Sequence, residues 1–320
     1  MARLFLRHHT DHGPRWAERI GDAAYAVDID APTTGALITL LRQGGVAPAP
    51  GAAPIDPAQI RLLSPITGNQ QFIAQATNYR SHVREVGIDP DSLTANVFFT
   101  KAPSSLCAAD SAIIKPTRVH LLDYEVELGL VVAAPIRAGI TATPATLGDW
   151  LGALVIVNDI SARDIQVPEA QFFKGKSFRT FSPAGPWLVV PEPHEWALLG
   201  DLRLSLWVNG ALRQDSVIGG DMIFEPAATL TELSSVMDLD PGDLIITGTP
   251  GGVALQPPGA LVQKIAALLP PAKRWAAFIK GQRAKPGYLQ PGDVVRATIR
   301  DASGTLDLGQ QVNRVIAEQA

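Results

Sequence analysis

Apolar positions along this chain fall mostly into short runs separated by turn residues. Arg3–Arg7 and Ala23–Val27 read as strands around a Gly13-Pro14 turn, and Thr34–Arg42 carries helical spacing. Small residues and prolines dominate the following stretch, GGVAPAPGAAPIDP from Gly44 to Pro57, which reads as a linker or surface loop. Residues 1–61 are therefore expected to form a small N-terminal α+β unit with its linker. Beyond Leu62, strand-like runs recur at Phe72–Ala76, Tyr124–Val132, Ala153–Asn158, Trp187–Val190, Leu202–Val208, Asp243–Thr247 and Val294–Arg300. Pro241-Gly242-Asp243 and Pro291-Gly292-Asp293 repeat one turn signal. Few long helical periods interrupt the strands, so residues 62–320 are expected to be an α+β, mostly β domain rather than a doubly wound sheet. One segment departs from this texture. In Pro257–Gln290, Leu261, Ile265, Leu268, Trp275, Phe278 and Ile279 recur at helical spacing, and Pro270-Pro271 divides them. Two short helices are expected there, packed on the β domain through Leu261, Ile265, Leu268, Trp275 and Phe278.

Composition narrows the function classes. With 320 residues, 46% hydrophobic and 18% charged, the chain can bury a large core. A net charge of −4 without a basic stripe argues against a nucleic-acid partner. The single cysteine, Cys107, excludes an intrachain disulfide and a CxxC zinc site and favours a reducing cytoplasm. Apolar strings such as Leu151–Val157 fall well short of the roughly 20 residues of a membrane span.

The chemistry concentrates in a few strings. In DYEVELGLVV (Asp123–Val132) the second half is apolar and β-branched, and residues two apart on a strand share a face. Asp123, Glu125 and Glu127 then point the same way. Either this is a solvated acidic face, or the acids gather around a positive charge that offsets the cost of burying them. LGALVIVND is a near-continuous apolar run with Asp159 at its end, followed by Ser161, Arg163, Asp164 and Gln166. Oxygen ligands alone suit a hard cation, Mg2+ or Mn2+, better than zinc or copper. NYRSHVREVG sets His82 and Glu85 three apart, on one face if the segment is helical. That pair is either surface chemistry or a general base oriented by a carboxylate. Lys174 and Lys176 in FKGKSF either meet a substrate carboxylate or are solvated. ITGTPGGV (Ile246–Val253) is a strand-to-turn segment, and it lacks the Lys-Ser/Thr that a phosphate-binding P-loop needs.

Several of these strings occur in the order found in one known family. DYEVELGLVV, VNDISARDIQ, KGKSFRTFSPAGPW, LDPGDLIITGTPGGV and YLQPGDVVRATIRDASGTL resemble motifs of the fumarylacetoacetate hydrolase family, over about Leu62–Val315. NYRSHVREVG resembles its Asn-Tyr…His-x-x-Glu segment. The resemblance implies a mixed β-sandwich roll with a small leading domain, usually a homodimer. It implies Mg2+ or Mn2+ on Glu125, Glu127 and Asp159, and a His82–Glu85 pair on a lid that activates water. It assigns Lys176 to catalysis, and Tyr79, Arg163, Gln166 and Thr249 to binding the substrate. The implied substrate is a 2-oxo acid, as in aromatic catabolism. The implied reaction is hydrolysis of a C–C bond in an acylpyruvate-like 1,3-diketo acid. Decarboxylation, or isomerisation of an unsaturated 2-oxo dioate, is the alternative. Arg179 stands where the family often has aspartate, and Ala76 where it often has glycine.

Overall fold

The structure, a computed structural model, describes residues 1–257, 259 and 268–319. The fold is α+β, mostly β, and its layers follow from the burial pattern of two central strands. Val126–Val132 and Leu151–Asn158 pair antiparallel, with Val126 opposite Asn158 and Leu130 opposite Leu154. Their residues are almost continuously apolar because both faces are covered. On one side Leu128, Leu130, Leu154 and Ile156 pack with Leu204, Leu206, Val295 and Ile299 of a second sheet. On the other, Val131, Val155, Val157 and Leu244 pack with Leu37 and Ile38 of the helix Thr34–Arg42. That helix spans the residues its spacing predicts, and the Thr33 hydroxyl caps it by accepting from the Ala36 N–H at 3.1 Å.

The larger sheet runs from Ala23–Ala26 through Gly13–Ile20, Arg3–Thr10, Leu188–Val190, Leu151–Asn158, Val126–Val132, Leu244–Ile246 and Phe72–Ala76 to Val97–Thr100. The N-terminal strands thus continue the central sheet, through pairing of Arg3–Phe5 with Leu188–Val190. The second sheet orders Ala211–Val217, Arg203–Val208, Val294–Arg300, Asp307–Ala317 and Ile113–Lys115.

Two of the strands that the hydrophobic pattern does not reveal are polar ones. Ala211–Val217 lies at the sheet edge and buries only Gln214, and Asp307–Ala317 buries Gln311 and Asn313 among its inward positions. The helical segment needs a correction. Pro271–Arg283 is a helix, with Trp275 and Phe278 in edge contact at 5.9 Å and Phe278 packed on the main core. Leu268, expected to pack on the β domain, is 85% exposed, because it lies in the turn before Pro270-Pro271 rather than on a helix face. Leu261 and Ile265 lie outside the described residues.

Candidate metal and substrate site

Antiparallel pairing sets the start of one central strand beside the end of the other. Glu125 and Glu127 stand at the start of Val126–Val132, and Asp159 follows the last residue of Leu151–Asn158. The Asp159 N–H donates to the Glu125 carbonyl at 2.8 Å. The ladder is broken at Glu125 itself, whose N–H donates to Asn158 Oδ1 at 3.0 Å instead of to backbone. Leu244–Ile246 runs antiparallel to Val126–Val132 and parallel to Phe72–Ala76. Thr247–Thr249 and the segment beginning at Asn78 therefore emerge at the same rim as the acids. Asn78 Nδ2 ties the two by donating to the Thr247 carbonyl at 2.9 Å.

Oxygens of Glu125, Glu127 and Asp159 lie within 4.8 Å of one another, all buried. Three cations meet them. Lys176 Nζ donates to Glu125 Oε2 and Asp159 Oδ2, each at 2.6 Å. Arg163 donates to Glu125 Oε1 at 2.5 Å, to Asp123 Oδ2 at 2.9 Å and to Gln166 Oε1 at 2.9 Å. Lys101 Nζ donates to Asp159 Oδ1 and to the Phe181 carbonyl, and is 2% exposed. Burial alone would raise the Glu125 carboxyl, but Arg163, Lys176 and the nearby His82 outweigh it and hold it below the usual range. Glu127 goes the other way. Its carboxylate accepts the Gly248 N–H at 2.8 Å. Burial, reinforced by the charges of Asp159 and Glu125, holds it well above the usual range. For Lys176, burial opposes the charged form, yet Asp159 and Glu125 prevail and raise it; for Lys101 burial prevails and lowers it.

This donor set fits a hard divalent cation. It offers carboxylate oxygens alone, and it includes one acid, Glu127, that the protein's own cations do not neutralise. In their ordinary ionised forms, four acids (Asp123 included) face three cations, so the cluster is one positive charge short of balance. A divalent cation would turn that deficit into a single positive charge, suited to an anionic substrate.

The other expected site residues are placed as follows. His82 and Glu85 lie on the helix Arg80–Glu85, with Nδ1 and Oε2 3.7 Å apart. His82 is buried, and its Nδ1 has no hydrogen-bond partner among the described residues. Tyr79 is fully buried, and its hydroxyl is likewise unpartnered; burial raises its pKa and the nearby Glu127 adds to the shift. Thr249 is spent on the scaffold: its hydroxyl donates to the Val126 carbonyl at 2.9 Å and accepts from Gln214 Nε2 at 2.8 Å. Arg163 bonds Gln166 and the acids Asp123 and Glu125, and Lys174 pairs with Glu169 at the surface. Lys101 and Gln214 are contributors that the sequence pattern does not single out. Lys101 follows a short strand, and nothing in its spacing marks it as buried; Gln214 sits in a strand that reads as solvent-exposed.

Comparison with known proteins agrees with this geometry. Residues 71–316 match the profile of the fumarylacetoacetate (FAA) hydrolase C-terminal domain. A Burkholderia multivorans protein, whose name assigns it provisionally to the hydrolases, is 33% identical over 266 residues, covering 79% of this chain and 81% of the relative. Among solved structures, the fumarylacetoacetate hydrolase of the psychrophile Exiguobacterium antarcticum is 28% identical with a TM-score of 0.74, covering 99% of this chain and 100% of that one. The 2-hydroxyhepta-2,4-diene-1,7-dioate isomerase of Mycobacterium marinum is 25% identical with a TM-score of 0.71, covering all of both chains. A mixed β fold with a buried Glu-Glu-Asp cluster at its rim, in a chain matched over most of its length, defines a class of enzymes. This chain belongs to the fumarylacetoacetate hydrolase family.

Proposed function

We propose that the protein is an Mg2+- or Mn2+-dependent hydrolase that cleaves a C–C bond in an acylpyruvate-like 1,3-diketo acid. The observation that carries this reading is the meeting of a buried carboxylate triad with a His–Glu pair on an adjoining helix. A divalent cation held by Glu125, Glu127 and Asp159 would supply Lewis acidity toward the oxygens of the 2-oxo acid. His82 takes a proton from water, and Glu85 steadies the resulting imidazolium. The water oxygen bonds to the distal carbonyl carbon. The C–C bond then breaks, and its electron pair passes to the pyruvate-like fragment as an enolate, which is protonated on carbon. Lys176 holds positive charge next to the triad, where that negative charge develops. Tyr79 contributes a free hydroxyl donor at the same rim.

Likeness to a dioate isomerase supports a second reading on the same ligands, in which His82 moves a proton without activating water; a decarboxylase would share them too. Assay of the Mg2+- and Mn2+-loaded protein against acylpyruvates, oxaloacetate and unsaturated 2-oxo dioates separates the three. Release of a carboxylic acid and pyruvate from acylpyruvates is expected, and turnover of the dioates alone would overturn hydrolysis. We further propose a cytoplasmic homodimer, as the single cysteine and the family suggest. Among the described residues no helix is long and apolar enough to cross a membrane.

A further inference from the structure

The helix carrying His82 and Glu85 has an unusual cap. Its N-cap residue, Tyr79, makes no side-chain hydrogen bond to the first turn. The free N–H groups there are satisfied by a residue 140 positions away. The Asp221 carbonyl accepts the Arg80 N–H at 2.7 Å, and its Oδ1 accepts the Ser81 N–H at 2.7 Å. Asp221 Oδ2 accepts from both the Ser81 and the Ser216 hydroxyls at 2.6 Å. Three donors therefore converge on one half-buried carboxylate, and charge-assisted bonds of this length are about twice as strong as neutral ones.

The far side of the helix is held by a turn. Ser81 Oγ accepts the Gly251 N–H at 2.9 Å, and Glu85 Oε1 accepts the Gly252 N–H at 2.7 Å. The second bond leaves Oε2 as the oxygen facing His82. The approach is close enough to demand glycine: a Cβ on Gly252 would lie 2.0 Å from the Arg213 carbonyl, at a φ of +104°. Both clamps lead back to the edge strand Ala211–Val217. Ser216 bonds Asp221, and Gln214 donates to Thr249 Oγ1 and the Pro250 carbonyl, each at 2.8 Å. One polar strand thus supports the turn on one side and the cap on the other.

We propose that Asp221 is a positioning residue that latches the His82–Glu85 helix over the carboxylate site. The inference rests on the assignment of His82 and Glu85 to the reaction, but the latch itself is read without substrate. Hydrogen exchange by mass spectrometry on the full Mg2+-loaded protein tests it. In Asp221→Ala, amides of residues 80–86 should exchange on the order of tenfold faster or more, because two strong bonds to Ser81 are lost. Ser81→Ala, which keeps the backbone bond to Asp221, should show a smaller rise. Exchange in the central strands should not change. kcat should fall in the same order as the exchange rises, while Mg2+ affinity stays at the wild-type value and Asp221→Asn recovers part of the loss. Unchanged exchange at 80–86 in Ser81→Ala and in whichever Asp221 variant folds would overturn the latch. So would a kcat loss matched by an equal loss of Mg2+ affinity. Faster exchange at 80–86 with no acylpyruvate turnover in the wild type would keep the latch and remove the hydrolase reading.

Discussion

The carboxylate cluster and the helix Arg80–Glu85 sit at one rim, yet they are held in opposite ways. The acids grow out of two central strands buried on both faces, and Arg163, Lys176 and Lys101 bind them from inside the protein. The helix is six residues long and rests on side-chain bonds to Asp221 and on a glycine turn. Such a short helix has little stability of its own. The contrast suits the proposed function, in which ligand oxygens stay fixed in the core while the base, which must let substrate enter, is attached by a few polar bonds.

Substitutions on either side should therefore separate cleanly. Glu127→Gln removes a proposed metal ligand from the fixed half. Calorimetry should find Mg2+ affinity lowered by more than the roughly 100-fold upper range of an outer-shell substitution, with turnover lost. His82→Ala strikes the attached half. It should lower kcat by roughly 10²–10⁴-fold and leave Mg2+ titrations unchanged. Wild-type turnover in His82→Ala would remove the base from that helix. Lys101→Met leaves a buried Asp159 oxygen without its cation. Denaturation in EDTA should show a loss of about 3–5 kcal/mol, partly recovered by Mg2+, whereas no loss would mean that the pair is not part of what fixes the acids.

The smallest effect is one of pH. Glu127 keeps its proton in the folded, metal-free protein above the pH at which an ordinary glutamate, pKa about 4.3, has lost it. The folded state then binds more protons than the unfolded one. Metal-free stability should decline as pH rises above that value, until Glu127 ionises in the folded state too. Glu125 works in the lower window, since its depressed carboxyl contributes stability that disappears as pH falls through the folded value. Mg2+ must displace the Glu127 proton, so its affinity should rise with pH by at most about tenfold per unit. Calorimetry in buffers of different ionisation enthalpy checks the proton release, and pH-independent affinity would place Glu127 outside the site.

The fixed half was largely legible in the sequence. Alternation around Glu125 and Glu127 gave their shared direction, and the apolar run before Asp159 gave a strand end, even though the ladder breaks at Glu125. Antiparallel pairing, which brings the two ends together, is not local information. The i,i+3 spacing of His82 and Glu85 was legible, and the helix that puts them on one face came from the fold. The cap of that helix was not legible, because Asp221 and Ser216 belong to a polar segment without periodicity, and their meaning appears only across 140 residues of chain. For Arg163 and Thr249, motif resemblance implies substrate binding; in the fold Arg163 bonds Asp123 and Glu125, and Thr249 bonds the Val126 carbonyl.

Gln311 inserts its amide among the backbone carbonyls of Ile156, Pro183 and Gly185, at 2.9, 3.1 and 3.0 Å, behind the strand that ends in Asp159. The strand bearing Gln311 also pairs in parallel with Ile113–Lys115, at Val315–Ala317. On the ribosome it is made after every residue of the acidic site. Until it emerges, Ile113–Lys115 has no partner for that pairing, and the strand leading to Asp159 lacks its support. The last strand of the chain therefore closes the scaffold behind residues made some 155 positions earlier.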